Sequence, residues 1–301
     1  MSNLILLVVC FVAGLLLRQS GKLPENAHVT LNGFIIHIAL PALTLLHIHG
    51  LHVDSTLIFV VAMAWLLFGL GVLFFWVLGR LAGLTRSTTG ALMLTGGLGN
   101  TSFVGLPMIE TFYGKEGMAT GILIDQLGSY LALSTVGIVV ASLYAGGRPD
   151  ATTLFKKVAS FPPFLALLLA LALLHVDYPA WVEQTLQRLS ATLAPLALVS
   201  VGMQLKLEAF QGNKSALCAG LGFKLLLAPL LLALLYGSVM GASGQVIQIT
   251  LFEAAMAPMI GGAIVAMQHR LNPALCTLMI GVGIPLSFLT LPGWWYLLRL
   301  V

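Results

Sequence analysis

The sequence predicts an all-α integral membrane protein with ten transmembrane helices arranged as two inverted five-helix repeats, the fourth and ninth helices being broken. Three observations lead there. Of 301 residues, 59% are hydrophobic and 8% charged, too few charged groups to clothe a water-facing surface. Apolar runs follow one another between short polar stretches, and at roughly 20 apolar residues per crossing they allow about ten spans and no sizeable soluble domain. The runs also divide into two sets of five around the longest polar interval. An odd number of spans per half requires the second half, if related to the first, to be inverted.

Residues 4–17 form the first run. No basic residue precedes it, whereas Arg18 and Lys22 follow it directly, the reverse of a cleaved signal peptide, so a retained span is expected. Further spans are expected at 29–48, 57–78, 90–113 and 118–144. Residues 148–160 read as a cytoplasmic linker between a first repeat, 1–147, and a second, 161–301. The second supplies spans at 161–176, 188–205, 216–240, 246–267 and 274–298. Proline placement favours the repeat: Pro24 and Pro179 precede the second span of each half, and Pro41 and Pro195 lie within those spans.

Basic residues set the orientation, since cytoplasmic loops are richer in Lys and Arg. Arg18, Lys22, Arg80, Arg86, Arg148, Lys156, Lys157, Lys206, Lys214 and Arg270 fall on one side, and Lys115, Arg188 and Arg299 on the other. Both termini are therefore expected outside the cytoplasm, in a multi-pass protein of the plasma (inner) membrane. The 14 Lys+Arg against 10 Asp+Glu form no basic run, so lipid is an expected partner and nucleic acid is not. Cys10, Cys218 and Cys276 each sit in an apolar run and read as small buried side chains rather than a disulfide or metal framework.

Two spans should be interrupted. GGLGNTSFVGLP, residues 96–107, concentrates glycines and an interior proline, both unfavourable in a helix. EAAMAPMIGGAIVA, residues 253–266, does the same with Pro258, Gly261 and Gly262. Peptide groups freed at membrane depth are tolerated only against protein or a hydrated cavity, so the paired breaks mark an internal site. A half-helix starting there offers free N–H groups and a positive dipole end to an anion. Gly99, Asn100, Thr101 and Ser102 from the first break, with Pro258 and Met259 from the second, are the expected substrate-binding residues.

Several segments resemble the auxin efflux carrier family, whose bacterial branch is associated with malate and malonate permeases and whose fold is related to the bile acid/sodium symporter superfamily. They are LNGFIIHIALPALTLL at 31–46, GNTSFVGLPMIETFYG at 99–114, APLALVSVGMQL at 194–205, KLLLAPLLL at 224–232, AAMAPMIGGAIVAMQHRL at 254–271 and LTLPGWWYLL at 289–298. The resemblance covers most of the chain. It implies that spans four and nine cross at their unwound centres and that a transport domain moves, elevator-like, against a scaffold. Family members often carry a polar residue directly after the second proline; here Met259, Ile260 and Gly261 follow Pro258, which argues against a side-chain ligand from that span.

Asp125, Lys224 and Glu253 lie inside apolar spans, where an ionisable group is costly and normally faces a partner or a cavity. The resemblance sets Asp125 and its neighbour Gln126 beside the crossover, Ser129 lying one turn along. Asp125 is expected in coupling or gating and Gln126 in substrate contact. Lys224 suits an organic carboxylate or a pair with Glu253, and the two read equally as coupling or gating groups or as a static ion pair. His37 is expected to be a packing residue. His47, His49 and His52, with Asp54 nearby, lack the partners of a metal site, and Glu110, Lys115 and Glu116 are expected in a solvated outer turn.

No HExxH, GxSxG or phosphate-binding glycine loop occurs, so neither an enzyme nor an ATP-driven pump is expected. The reading is a secondary transporter of a small organic anion, such as a mono- or dicarboxylate, without a cofactor and with H+ or Na+ as candidate coupling ions. Assembly as a homodimer is a further expectation. An anion channel, a sodium-coupled bile-acid-type symporter and a ligand sensor without transport are the alternatives; saturable flux with counterflow separates a carrier from a pore.

Overall fold

A computed structural model describes residues 2–48, 56–147, 151–204 and 213–299. Among them the chain is all helical; the single extended pairing is an isolated bridge between Gly99 and Pro258. In chain order the helices are α1 (Ser2–Gln19), α2 (Ala27–Ile48), α3 (Leu57–Leu81), α4 (Arg86–Gly96), α5 (Leu106–Tyr113), α6 (Lys115–Tyr144) and α7 (Ala151–Ala159). They continue with α8 (Pro162–Ala172), α9 (Ala180–Ser190), α10 (Leu193–Gln204), α11 (Lys214–Val239), α12 (Gln245–Ala254), α13 (Ile260–Gln268) and α14 (Pro273–Leu298).

Among the described residues six stretches are long and apolar enough to cross a bilayer: α2, α3, α6, α9 with α10, α11 and α14. The other apolar runs hold shorter or interrupted helices. Helix α8 ends at Ala172 after 11 residues, short of the run at 161–176. Helix α9 starts at Ala180, well before the span expected from Arg188, with Pro179 as its N-cap, whose carbonyl accepts from Val182 and Glu183 N–H. Arg148, Lys206, His49, His52 and Asp54 lie outside the described residues.

Several helices widen into π-turns, and three of these share a cause. The turns Ile35–Ala39, Thr101–Gly105 and Phe223–Leu227 each end two residues before a proline: Pro41, Pro107 and Pro229. A proline ring clashes with the carbonyl four residues back and leaves it without a donor. The wider turn shifts bonding by one residue, so that Leu40 N–H reaches the Ile35 carbonyl and Ala228 N–H the Phe223 carbonyl. Such turns cluster at functional positions, and here they carry Thr101, Ser102 and Lys224; a fourth, Ile124–Tyr130, carries Asp125, Gln126 and Ser129.

The chain divides into two compact units that interleave along the sequence. One comprises residues 1–54, 102–122 and 156–205, the other 55–101, 123–155 and 206–301. Each therefore draws on both halves of the sequence.

In the first unit α1 lies directly on α10. A Cβ at Gly14 would meet the Val199 carbonyl, and one at Gly202 the Phe11 carbonyl, so two glycines let the helix backbones touch, as small residues do where helices pack in lipid. Ser200 Oγ donates to Asn32 Oδ1 at 2.5 Å, tying α10 to α2.

In the second unit α3, α4 and the later part of α6 pack with α11 to α14. Thr85 Oγ1 caps α4 by accepting from Thr88 N–H. At the start of α14, Asn272 takes a left-handed conformation (φ 36) and accepts from Leu275 N–H, with Pro273 in the first turn. Its side-chain nitrogen donates to Thr88 Oγ1 and Asn213 Oδ1, each at 3.0 Å, which fixes α4, α11 and α14 at one end.

Candidate functional site

The site lies where α4 and α12 stop, in the second unit. Helix α4 ends at Gly96 and α12 at Ala254, and after each the chain bends out of the helix for a few residues before turning helical again. The two unwound stretches pair antiparallel. Asn100 N–H donates to the Ala257 carbonyl at 2.8 Å and Met259 N–H to the Leu98 carbonyl at 3.2 Å. Gly99 and Pro258 face each other between these bonds, the non-hydrogen-bonded position of an antiparallel pair. Proline has no N–H to offer there and none is needed. Glycine is equally constrained, because a Cβ on Gly99 would lie 3.3 Å from the Glu253 carbonyl oxygen and 3.5 Å from Lys224 Nζ.

Pairing satisfies four backbone groups that the broken helices release, which is what permits irregular backbone in this setting. Pro258 is seated from behind by α14, where a Cβ on Gly283 would come within 2.7 Å of the proline ring. Helix α13 presses its first turn onto α4 through Gly262, whose absent side chain leaves room for the Leu94 carbonyl. As at any helix start, the leading N–H groups of α13 have no intrahelical acceptor.

Charged and polar side chains gather around this pairing. Thr101 Oγ1 donates to Asp125 Oδ1 at 2.6 Å, and both residues are buried. Asn100 and Gln126 are buried as well. Lys224, fully buried, donates from Nζ to the Ala254 carbonyl at 2.7 Å. Glu253 is also fully buried, and neither of its carboxylate oxygens accepts a hydrogen bond among the described residues. Asp125 and Lys224 both lie within electrostatic reach of it. The ammonium is thus bonded to backbone rather than to the Glu253 carboxylate.

Of the residues expected from sequence, the second unit brings together Gly99, Asn100, Thr101, Asp125, Gln126, Lys224, Glu253, Pro258 and Met259. Ser102 is half-buried and begins the stretch 102–122 of the first unit. His37 Nδ1 bonds the Gly33 carbonyl one turn back at 2.9 Å, a local packing role. Cys10 and Cys276 are buried, whereas Cys218 is exposed on α11, a departure from the expectation, since no described residue covers that face of the helix. Glu110 lies within α5 rather than in the turn that holds Lys115 and Glu116.

Three aromatic anchors escaped the sequence reading. Trp65 Nε1 donates to the Leu127 carbonyl at 3.1 Å, within the π-turn of Asp125. Trp294 Nε1 donates to the Leu225 carbonyl at 2.8 Å, beside Lys224. Tyr236 donates to the Phe59 carbonyl at 2.9 Å. The two indoles bond carbonyls within the π-turns that position the charged residues. A tryptophan two spans along the chain from an intramembrane charge is the signal that was available.

A polytopic helical chain whose interrupted helices meet at a buried polar pairing, with ionisable groups around it, has the features of a membrane transport protein rather than of a soluble enzyme. Residues 1–295 match the family described as membrane transport protein, and the chain belongs to this family, the auxin efflux carriers. An uncharacterized transporter of Methanothermobacter thermautotrophicus is 26% identical over 292 residues, covering 95% of this chain and 94% of the relative. A second uncharacterized transporter, from Methanocaldococcus jannaschii, is 26% identical over 311 residues and covers 99% of each chain. The protein is a multi-pass membrane transporter and not an enzyme.

Proposed function

We propose that the protein is a secondary transporter of a small organic anion, such as a mono- or dicarboxylate, working by elevator-like alternating access. The observation that carries this reading is the buried Gly99–Pro258 pairing and the half-helix that starts beyond it. Free N–H groups at the start of α13 present a positive dipole end suited to an anion. Asn100, Thr101 and Gln126, with Ser102 beyond the break, supply hydrogen-bonding side chains. Gly99, Pro258 and Met259 supply backbone and shape. Asp125, Lys224 and Glu253 serve coupling or gating.

Two compact units, each drawn from both halves of the sequence, favour movement of one body against another. Ten spans in two inverted repeats, 1–147 and 161–301 joined by a linker at 148–160, are the arrangement we propose. Both termini then lie outside the cytoplasm at the plasma (inner) membrane. A homodimer is the proposed assembly, with H+ or Na+ as the coupling ion.

The test is uptake by purified protein in liposomes loaded with unlabelled malate or malonate. Saturable uptake accelerated by internal substrate is expected. Absence of flux for every mono- and dicarboxylate under both proton and sodium gradients would overturn the reading, and single-channel current would assign a pore instead.

A further inference from the structure

Helix α12 stops inside the second unit with its last carbonyls pointing at the crossover, and a helix C-terminus carries about half a negative charge. Placed away from water, that end requires a positive partner or donors. The structure provides one from within the chain. Lys224 Nζ lies 2.7 Å from the Ala254 carbonyl and 3.5 Å from the point where a Gly99 Cβ would sit, so it stands against both unwound stretches at once. The Phe223–Leu227 π-turn aims it there, and Trp294 Nε1 holds the neighbouring Leu225 carbonyl. Glu253, whose carboxyl oxygens have no hydrogen-bond donor among the described residues, is buried beside the same helix end.

We propose that Lys224 is a tethered cation that supports the crossover in place of a bound alkali-metal ion, so that this site folds and works without sodium. An ion coordinated at the α12 terminus would need the carbonyl oxygen that the ammonium holds, and it would bring a second positive charge to within a few ångströms of the first. Lys224 cannot leave the chain, so the group stays at the crossover when no free ion is bound. This inference builds on the proposed transport function for its consequence, though the charge role itself can be read without any flux.

The test uses full-length purified protein in detergent, with melting temperature measured in sodium, lithium, potassium and choline chloride at equal ionic strength. Wild type is expected to melt at the same temperature in all four. Lys224→Ala is expected to melt several degrees lower in choline and to recover most of that loss with ethylammonium, which restores an ammonium to the emptied space. A wild-type protein stabilised selectively by sodium would overturn the proposal, as would a Lys224→Ala protein that melts like wild type or ignores ethylammonium.

Should Lys224→Ala give no folded protein, Lys224→Arg and Lys224→Gln decide the matter. Arginine keeps the charge, while glutamine keeps a donor without it. Greater stability of Lys224→Arg supports the tethered charge, and equal or greater stability of Lys224→Gln rejects it. Loss of flux in every wild-type condition would sink the transport reading while leaving these melting results to judge Lys224.

Discussion

Thr101 and Asp125 are joined by a buried hydroxyl–carboxylate bond of 2.6 Å, and that bond links the first break to the π-turn of α6. Thr101→Val keeps the shape and removes the donor. It is expected to cost about 1–3 kcal/mol, the usual penalty for leaving a buried acceptor unsatisfied, read as a lower melting temperature with impaired transport. Asn100→Ala should separate the two effects. Its backbone bond to Ala257 survives the substitution, so folding should hold while transport efficiency falls about tenfold, or ~1.4 kcal/mol. Flux in liposomes at unchanged thermal stability is the readout, and unaltered flux would remove Asn100 from the site. Trp294→Phe removes the indole donor from the Leu225 carbonyl. A loss of about 1–3 kcal/mol is expected by the same reasoning, with thermal melting as the check.

At the scale of elements, the π-turns set ahead of Pro41, Pro107 and Pro229 have the most direct consequence. Pro229→Ala restores an N–H and removes the ring clash that favours the turn at Phe223–Leu227. The helix should relax toward regular geometry and rotate Lys224 away from Ala254. Melting temperature is expected to fall, because losing the buried Lys224 bond to the Ala254 carbonyl outweighs the gain from removing a proline inside a helix. Transport is expected to fall about tenfold with it, ~1.4 kcal/mol. Glycine contacts make a second element-level prediction. Gly262→Leu would drive a side chain into the Leu94 carbonyl of α4; loss of folded protein on size-exclusion chromatography is expected.

For the whole molecule, apolar length marked six stretches fit to cross a bilayer among the described residues and glycine and proline clusters marked both breaks, whereas α7 formed inside the stretch read as a linker. That much was legible because a membrane span and a helix breaker are local properties of the chain. The pairing of Leu98–Asn100 with Ala257–Met259 was not, since antiparallel register depends on residues far apart in sequence. Nor was the fate of Lys224: its charge drew attention, yet an ion pair with Glu253 and a bond to a backbone carbonyl are equally compatible with the sequence. The π-turns were partly legible, because a proline inside a span requires some relief of the carbonyl four residues earlier. Division into two interleaved units was hidden for the same reason as the pairing.

Trans-stimulated uptake measures the central claim most directly, because only a carrier exchanges substrate through one alternating site. Reconstituted wild-type protein should take up labelled malonate or malate faster when the liposome interior holds the same unlabelled anion, and Asn100→Ala should lose that acceleration. Uptake that is unsaturable and indifferent to internal substrate would contradict a substrate site at the Gly99–Pro258 crossover.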